Sequence, residues 1–295
     1  MRGTEVQIGN SGSNASDLAL KRWRVSRVVS FVPLGLAAIA LLSFPKTRAY
    51  SAQTRLSTPA PSKPNIVLVP GAYEDGSIWS KVIGLLQAKG FQVTSVPIPL
   101  TSLAADAAMT RSVLAKQQGP TILVGHSWGG VVITEAGSAP NVVGLVYVAA
   151  VAPDVGEGSG DILGHCPRHG PLPIHADEAG MKWLDPNAYH EAWAADLDIA
   201  QARILAAVQR PIATASFTDK VTQAAWHTKP SWFQVSTKDM VQCPEMQRFM
   251  AKRMGATTIE LPASHASPLS HPEEVAKLIM DAAEKVGAMK SESAR

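Results

Sequence analysis

Thr121-Ile122-Leu123-Val124-Gly125-His126-Ser127-Trp128-Gly129-Gly130 is the stretch of this 295-residue chain on which the fold turns. Its first four residues are apolar or β-branched with no polar alternation, the composition of a strand buried on both faces. From Trp128 to about Ala139 the pattern is helical, and no loop separates the two elements. The junction is Gly-x-Ser-x-Gly, Gly125 to Gly129. A strand that runs straight into a helix must turn sharply at the serine, and the glycines let the two elements approach without a Cβ clash. Ser127 is therefore expected beyond the carboxyl edge of a sheet, at the amino end of a helix whose dipole favours developing negative charge. The plainer alternative is a Gly-rich turn with an incidental serine; the strand before it and the helix after it favour a nucleophile.

Working outward, the same βα rhythm repeats. Runs at Ile66–Val69, Phe91–Val96, Thr121–Val124 and Val142–Val148 read as strands, and Ile78–Lys89, Leu103–Gln117 and Trp128–Ala139 as helices. The rhythm lapses from about Pro153 to Pro230, a stretch rich in Pro, His and Trp with helical runs at Ala188–Leu197 and Ile199–Gln209. It resumes with the strand Trp232–Val235, the helix Pro244–Met254, the strand Thr257–Leu261 and the helix Pro272–Val286. Strands without alternation, separated by helices, predict an α/β fold: a mostly parallel six-stranded sheet flanked by helices. The insertion over 153–230 predicts a small helical cap at the carboxyl end of the fourth strand. No repeat of 20–50 residues is visible, which excludes solenoids and propellers.

Composition bounds the function. Apolar residues make up 46% of the chain and charged ones 17%, which excludes a disordered protein. The net charge of +3 is too small for a nucleic-acid binder, and it is unevenly placed. Residues 1–51 hold seven basic and two acidic side chains, so the rest carries a net −2. The basic cluster Lys21-Arg22-Trp23-Arg24-Val25-Ser26-Arg27, the uncharged stretch Val28–Phe44 and the small residues Ala49 and Ser51 follow the order of an export signal. A membrane anchor at 28–44 is the rival reading, since 17 residues is at the short limit of a spanning helix. Residues 52–64 are Ser/Thr/Pro-rich and read as a linker, leaving 65–290 as the folded domain.

A serine hydroxyl needs a base, and His265 is the best placed of eight histidines. It follows the strand Thr257–Leu261 by four residues and precedes the last helix. His126 adjoins Ser127, but neighbouring side chains in a tight turn diverge, and His271 precedes Pro272 at the start of a helix. The base in turn needs a carboxylate to fix its tautomer. Asp239 lies just past the strand Trp232–Val235, with Asp219 and Glu245 as substitutes, and gives the order Ser, Asp, His along the chain. The oxyanion of an acyl-transfer reaction needs donors, expected from the backbone N–H groups of Trp128 and of Ala72 in the loop Pro70-Gly71-Ala72-Tyr73. Tyr73, Trp183, Trp193 and Trp226, with Trp232, are aromatic candidates either for the substrate pocket or for packing the cap onto the sheet. His165, Cys166, His169 and His175 have zinc-ligand types, but no four-ligand shell can be read from them and no metal is expected. Cys166 and Cys243 either pair, as export would permit, or remain two buried thiols.

From Asn65 to about Val286 the chain resembles the α/β-hydrolase superfamily. It is most similar to the small-esterase branch that includes plant methylsalicylate esterases, hydroxynitrile lyases and many bacterial carboxylesterases. The stretches that carry the likeness are VLVPGAYEDGSIW, GHSWGG, STKDMVQCPEMQRFMAKRMGA and SHASPLSHPEEVA. The resemblance implies a catalytic triad of Ser127, Asp239 and His265, an oxyanion hole at Ala72 and Trp128, and no cofactor. Pro70 stands where many members have a histidine, so that side chain's role is absent while the backbone donor at 72 is untouched. The expected activity is hydrolysis of a small or medium carboxylic ester through an acyl-enzyme on Ser127. The expected partner is that small-molecule ester, with no nucleic acid, and a membrane only if the amino-terminal segment is retained. A hydroxynitrile-lyase-like carbon–carbon lyase and a non-catalytic ligand-binding protein are the alternatives on the same fold.

Overall fold

Apolar runs too continuous to face water on either side can only pair in the middle of a layered structure. The computed structural model, which describes residues 63–163, 166 and 172–293, shows that layering. In chain order the framework begins with β1 (Asn65–Val69), α1 (Ser80–Ala88), β2 (Val93–Ser95), α2 (Leu103–Leu114), β3 (Thr121–His126), α3 (Trp128–Ala136) and β4 (Val142–Val148). An insertion follows: α4 (Ser159–Leu163), β5 (Ile174–Ala176), β6 (Met181–Leu184), α5 (Tyr189–Trp193), α6 (Ile199–Val208) and β7 (Ile212–Ala213). The framework resumes with β8 (Ser231–Ser236), α7 (Pro244–Arg253), β9 (Thr257–Leu261), α8 (Ser267–Ser270) and α9 (Pro272–Ser293).

The main sheet runs β2-β1-β3-β4-β8-β9, and every pair in it is parallel. Every residue of β3 and β8 is buried, whereas the edge strand β9 exposes most of its residues. The chain leaves β1 toward β2 and then returns to place β3 on the other side of β1. Successive loops therefore diverge between β1 and β3 and open a crevice beyond the carboxyl ends of those strands. The register pairs Val69 with Gly125 and Gly125 with Tyr147, so the loops after β1, β3 and β4 emerge side by side.

The expected insertion is present, but it is not wholly helical. Besides α4–α6 it contains a three-stranded antiparallel sheet, β5-β6-β7. Strands of two to four residues show no periodicity that a sequence window can detect. The expected export signal or anchor at 1–51 and nearly all of the linker at 52–64 lie outside the described residues. Among the described residues no helix is long and apolar enough to cross a membrane.

Candidate active site

Ser127 sits at φ 52 and ψ −119, a conformation that costs a non-glycine residue free energy and persists only where its surroundings enforce it. The enforcement is visible. Ser127 N donates to Val148 O at 3.2 Å, and Ser127 O accepts from Gly130 N at 3.0 Å and Val151 N at 3.1 Å. A Cβ on Gly125 would come within 2.8 Å of Gly130 N, and one on Gly129 within 2.7 Å of Pro70 O. Glycine at 125 lets α3 begin directly off β3, and glycine at 129 lets α3 lie against the end of β1.

The turn aims Ser127 at His265, which lies in the loop between β9 and α8. His265 Nε2 is 2.8 Å from Ser127 Oγ, and its Nδ1 is 2.7 Å from Asp239 Oδ2. All three residues are buried. Asp239 Oδ1 accepts from Val241 N at 2.8 Å and Gln242 N at 2.9 Å, and Oδ2 also accepts from Gln247 Nε2 at 2.9 Å. A carboxylate held by so many donors is fixed in direction. It favours the tautomer with the proton on Nδ1, which leaves the Nε2 lone pair facing Ser127 Oγ. The other carboxylates are engaged elsewhere: Asp219 accepts from Leu103 N at 2.8 Å, and Glu245 lies 3.9 Å from Arg248 on the surface of α7. His271 stands between α8 and α9 with its Nδ1 3.0 Å from Ser270 Oγ.

Behind this relay lies a group that the sequence reading missed. The His126 ring diverges from Ser127, yet it is not turned out of the site. Its Nδ1 is 2.8 Å from Glu74 Oε2, and its Nε2 is 2.8 Å from the His265 carbonyl oxygen. A carbonyl only accepts and so does an ionised carboxylate, so both ring nitrogens carry protons and the ring is an imidazolium. Burial by itself would raise the Glu74 carboxyl, but the His126 charge and hydrogen bond overcome it and hold the group below the usual carboxylate range. Burial would lower His126, and Glu74 overcomes that in the same way, raising it above the usual imidazole range. Glu74 Oε2 also accepts from Gly71 N at 2.8 Å, and Oε1 from Trp193 Nε1 at 3.0 Å. One buried carboxylate thus ties the loop after β1, the residue before the serine and cap helix α5 together, and reaches the base loop through His126. Its partner is 52 residues away, so no local spacing could have revealed it.

Ala72 and Trp128 line one cavity of about 270 Å³ together with Ser127, and no loop or turn hydrogen bond among the described residues takes up either N–H. Asp106 Oδ2 accepts from the Trp128 indole N–H at 2.8 Å, which fixes the ring beside the serine. The cavity wall is chiefly apolar, with Val151, Leu172, Ile174, Phe217 and Val241. Of the aromatic candidates, Tyr73 and Trp193 line it. Trp183 does not; it is half-exposed, because adjacent residues of β6 face opposite ways and Lys182 takes the inward position. Trp226 and Trp232 are packing residues: the Trp226 indole donates to Pro153 O at 2.9 Å, and Trp232 is buried in β8. The Gln242 side-chain amide reaches Ser127 Oγ at 3.4 Å; turned over, its nitrogen donates to Ala150 O at 3.1 Å.

Cys166 and Cys243 are joined by a disulfide, with Cα atoms 5.8 Å apart. Cys166 is thus no thiolate ligand; His165 and His169 lie outside the described residues, and His175 faces Asp185 at 3.5 Å.

Comparison with known proteins agrees with this architecture. The sequence pattern described as the alpha/beta hydrolase family matches residues 66–278. A protein described as a probable hydrolase, R7, from a Phoma species is 30% identical over 247 residues, covering 75% of this chain and 99% of the relative. Among solved structures, a pyrethroid hydrolase from Sphingobium faniae is similar with a TM-score of 0.64 and 23% identity, over 76% of this chain and 98% of the other. Polyneuridine aldehyde esterase is similar with a TM-score of 0.65 and 20% identity, over 75% and 99%. The strand order, the serine turn and the match across most of the described residues lead to one conclusion: the chain belongs to the alpha/beta hydrolase family.

Proposed function

We propose that this protein is a serine esterase that cleaves small or medium carboxylic esters through an acyl-enzyme on Ser127. The observation that carries the reading is the continuous relay from Asp239 through His265 to Ser127 Oγ, ending at the floor of an apolar cavity. His265 Nε2 takes the hydroxyl proton as Ser127 Oγ attacks the ester carbonyl carbon. The carbonyl oxygen becomes an oxyanion, held by the N–H groups of Ala72 and Trp128. Collapse expels the alcohol, which leaves with the proton from His265. Water, deprotonated by the same ring, then attacks the acyl carbon, and the acid departs as the proton returns to Ser127. Relatives named as hydrolases and an esterase support the carboxylic ester as the bond cleaved. The disulfide supports export, since such bonds persist in oxidising compartments.

Ser127→Ala is expected to lower ester hydrolysis by about 10⁴-fold or more while leaving the circular-dichroism spectrum and thermal midpoint in place. A fluorophosphonate probe is expected to label the wild type at Ser127 and not the variant. Hydrolysis retained by Ser127→Ala, or a folded wild type that resists labelling, would overturn the reading.

A further inference from the structure

On a wall that is chiefly apolar, Gln242 sets a primary amide against the nucleophile. It lines the cavity, is buried, and its side-chain amide reaches Ser127 Oγ at 3.4 Å. The backbone on either side of it is fastened: Gln242 N donates to Asp239 Oδ1 at 2.9 Å, and Gln242 O accepts from Gln247 Nε2 at 2.8 Å. The side chain has one favourable orientation. Its nitrogen donates to Ala150 O at 3.1 Å and Ala149 O at 3.3 Å, where an amide oxygen would face only other acceptors. The amide oxygen is therefore the atom turned toward Ser127.

Ser127 Oγ thus has two acceptors around it and one proton to give. His265 Nε2, at 2.8 Å, lies within ordinary hydrogen-bond range and takes that proton, whereas 3.4 Å is too long for a good O–H···O bond. A buried amide oxygen in this position costs free energy that a donor recovers, and an apolar side chain would fill the place without that cost. The donor it suits follows from the chemistry of the site. Once Ser127 carries an acyl group its oxygen has no proton at all. Two acceptors, His265 Nε2 and the Gln242 oxygen, are then left around the same atom. The molecule with two protons for two such acceptors is water, the nucleophile of the second half-reaction.

We infer that Gln242 positions the water that hydrolyses the acyl-enzyme. The inference rests on the esterase reading and gives a part to a residue which that reading does not use. The water passes one proton to His265 Nε2 as its oxygen attacks the acyl carbon. Its other proton stays on that oxygen, hydrogen-bonded to Gln242 Oε1. The tetrahedral intermediate collapses by breaking the bond between its carbon and Ser127 Oγ, which takes the proton back from His265. The acid leaves with the proton that faced Gln242. Two acceptors fix the water in place and in rotation, whereas His265 alone leaves it free to turn about a single hydrogen bond.

The test gives the full-length protein p-nitrophenyl butanoate in water and in water with added methanol. Methanol attacks the same acyl-enzyme but has a single O–H, which goes to His265, so it has no proton for Gln242. In Gln242→Leu, hydrolysis of the acyl-enzyme is expected to fall about tenfold, the upper end for one lost hydrogen bond, while methanolysis is retained. The ratio of methyl butanoate to butanoic acid among the initial products then rises by about the same factor, whichever step limits turnover. Release of p-nitrophenol in the first turnover, which reads acylation, is expected to change by less than about twofold. Gln242→Met is expected to behave alike, and labelling by a fluorophosphonate shows that each variant keeps a working Ser127. A product ratio that both variants leave unchanged overturns the inference. So does a first turnover slowed as much as hydrolysis, which would assign Gln242 to holding the serine or the Asp239 loop. Either result leaves the esterase intact. A wild type that neither releases p-nitrophenol nor takes the fluorophosphonate overturns the esterase reading and this inference with it.

Discussion

Ser127 keeps a backbone conformation that its own side chain disfavours, and His265, whose Nε2 faces Ser127 Oγ, is held from behind by His126 at its carbonyl. Glu74 is the residue on which this depends, since it satisfies His126, Gly71 and Trp193 at once. Glu74→Gln removes the charge without the volume and leaves an imidazolium buried and unpaired. Breaking such a pair is expected to cost about 3 kcal/mol or more in denaturant unfolding at pH 5.5. The pH dependence follows from both partners. Glu74 titrates below its ordinary 4.5 in the folded protein, so its contribution is present above that value and lost as pH falls through the lowered folded value. His126 titrates above its ordinary 6.5, so its contribution is complete below that value and lost as pH rises through the raised folded value. The gap between wild type and variant is therefore widest between pH 4.5 and 6.5 and narrows on both sides. A gap below 1 kcal/mol, or one indifferent to pH, would remove the ion pair from the account. At this scale Ser127, Asp239 and His265 were legible because each follows a strand at its carboxyl end. Glu74 was not, because burial and a distant partner leave no mark on the residues around it.

Elements were legible where burial on two faces forced a continuous apolar run, as in β1, β3, β4 and β8. The helices between them came out close to their ends; α3 stops at Ala136 rather than near Ala139, and β2 shrinks to Val93–Ser95 ahead of Pro97 and Pro99. The cap resisted because its strands are short and mostly half-exposed, so neither a period of two nor a long apolar run develops. One tight joint between elements is that of β1 and α3 at Gly129. There an added Cβ would meet backbone oxygens of Val69 and Pro70, which cannot rotate away as a side chain could. Gly129→Ala is accordingly expected to cost about 3 kcal/mol, at the high end for overpacking, and to reduce hydrolysis by tilting the serine turn. Chemical denaturation together with kcat reads both. Unchanged stability would show that the loop after β1 has slack that the geometry does not display.

In the whole molecule the cap is fastened to the sheet at the points where the chemistry is assembled. Trp193 of α5 donates to Glu74, Asp196 accepts from Ser264 N at 2.8 Å beside His265, and Arg210 donates to Ile98 O at 2.7 Å. The disulfide is the covalent member of this set. It joins Cys166 of the insertion to Cys243, the residue after Gln242 in the loop whose N–H groups orient Asp239. The sequence separation of 77 residues makes the closed loop long, and the chain-entropy account assigns such a bond about 4 kcal/mol through restriction of the unfolded chain. For a domain of this size that corresponds to a fall of about 10 °C in thermal midpoint for the Cys166→Ser, Cys243→Ser double variant. Because one end of the bond lies in the Asp239 loop, kcat is expected to fall as well, by several-fold at temperatures where the variant is still folded. Reduction of the wild type should reproduce both losses and reoxidation should restore them. A drop in midpoint without any change in kcat would confine the disulfide to stability and leave the hydrogen bonds alone to position the acid; no drop at all would show that those bonds already hold the cap in place.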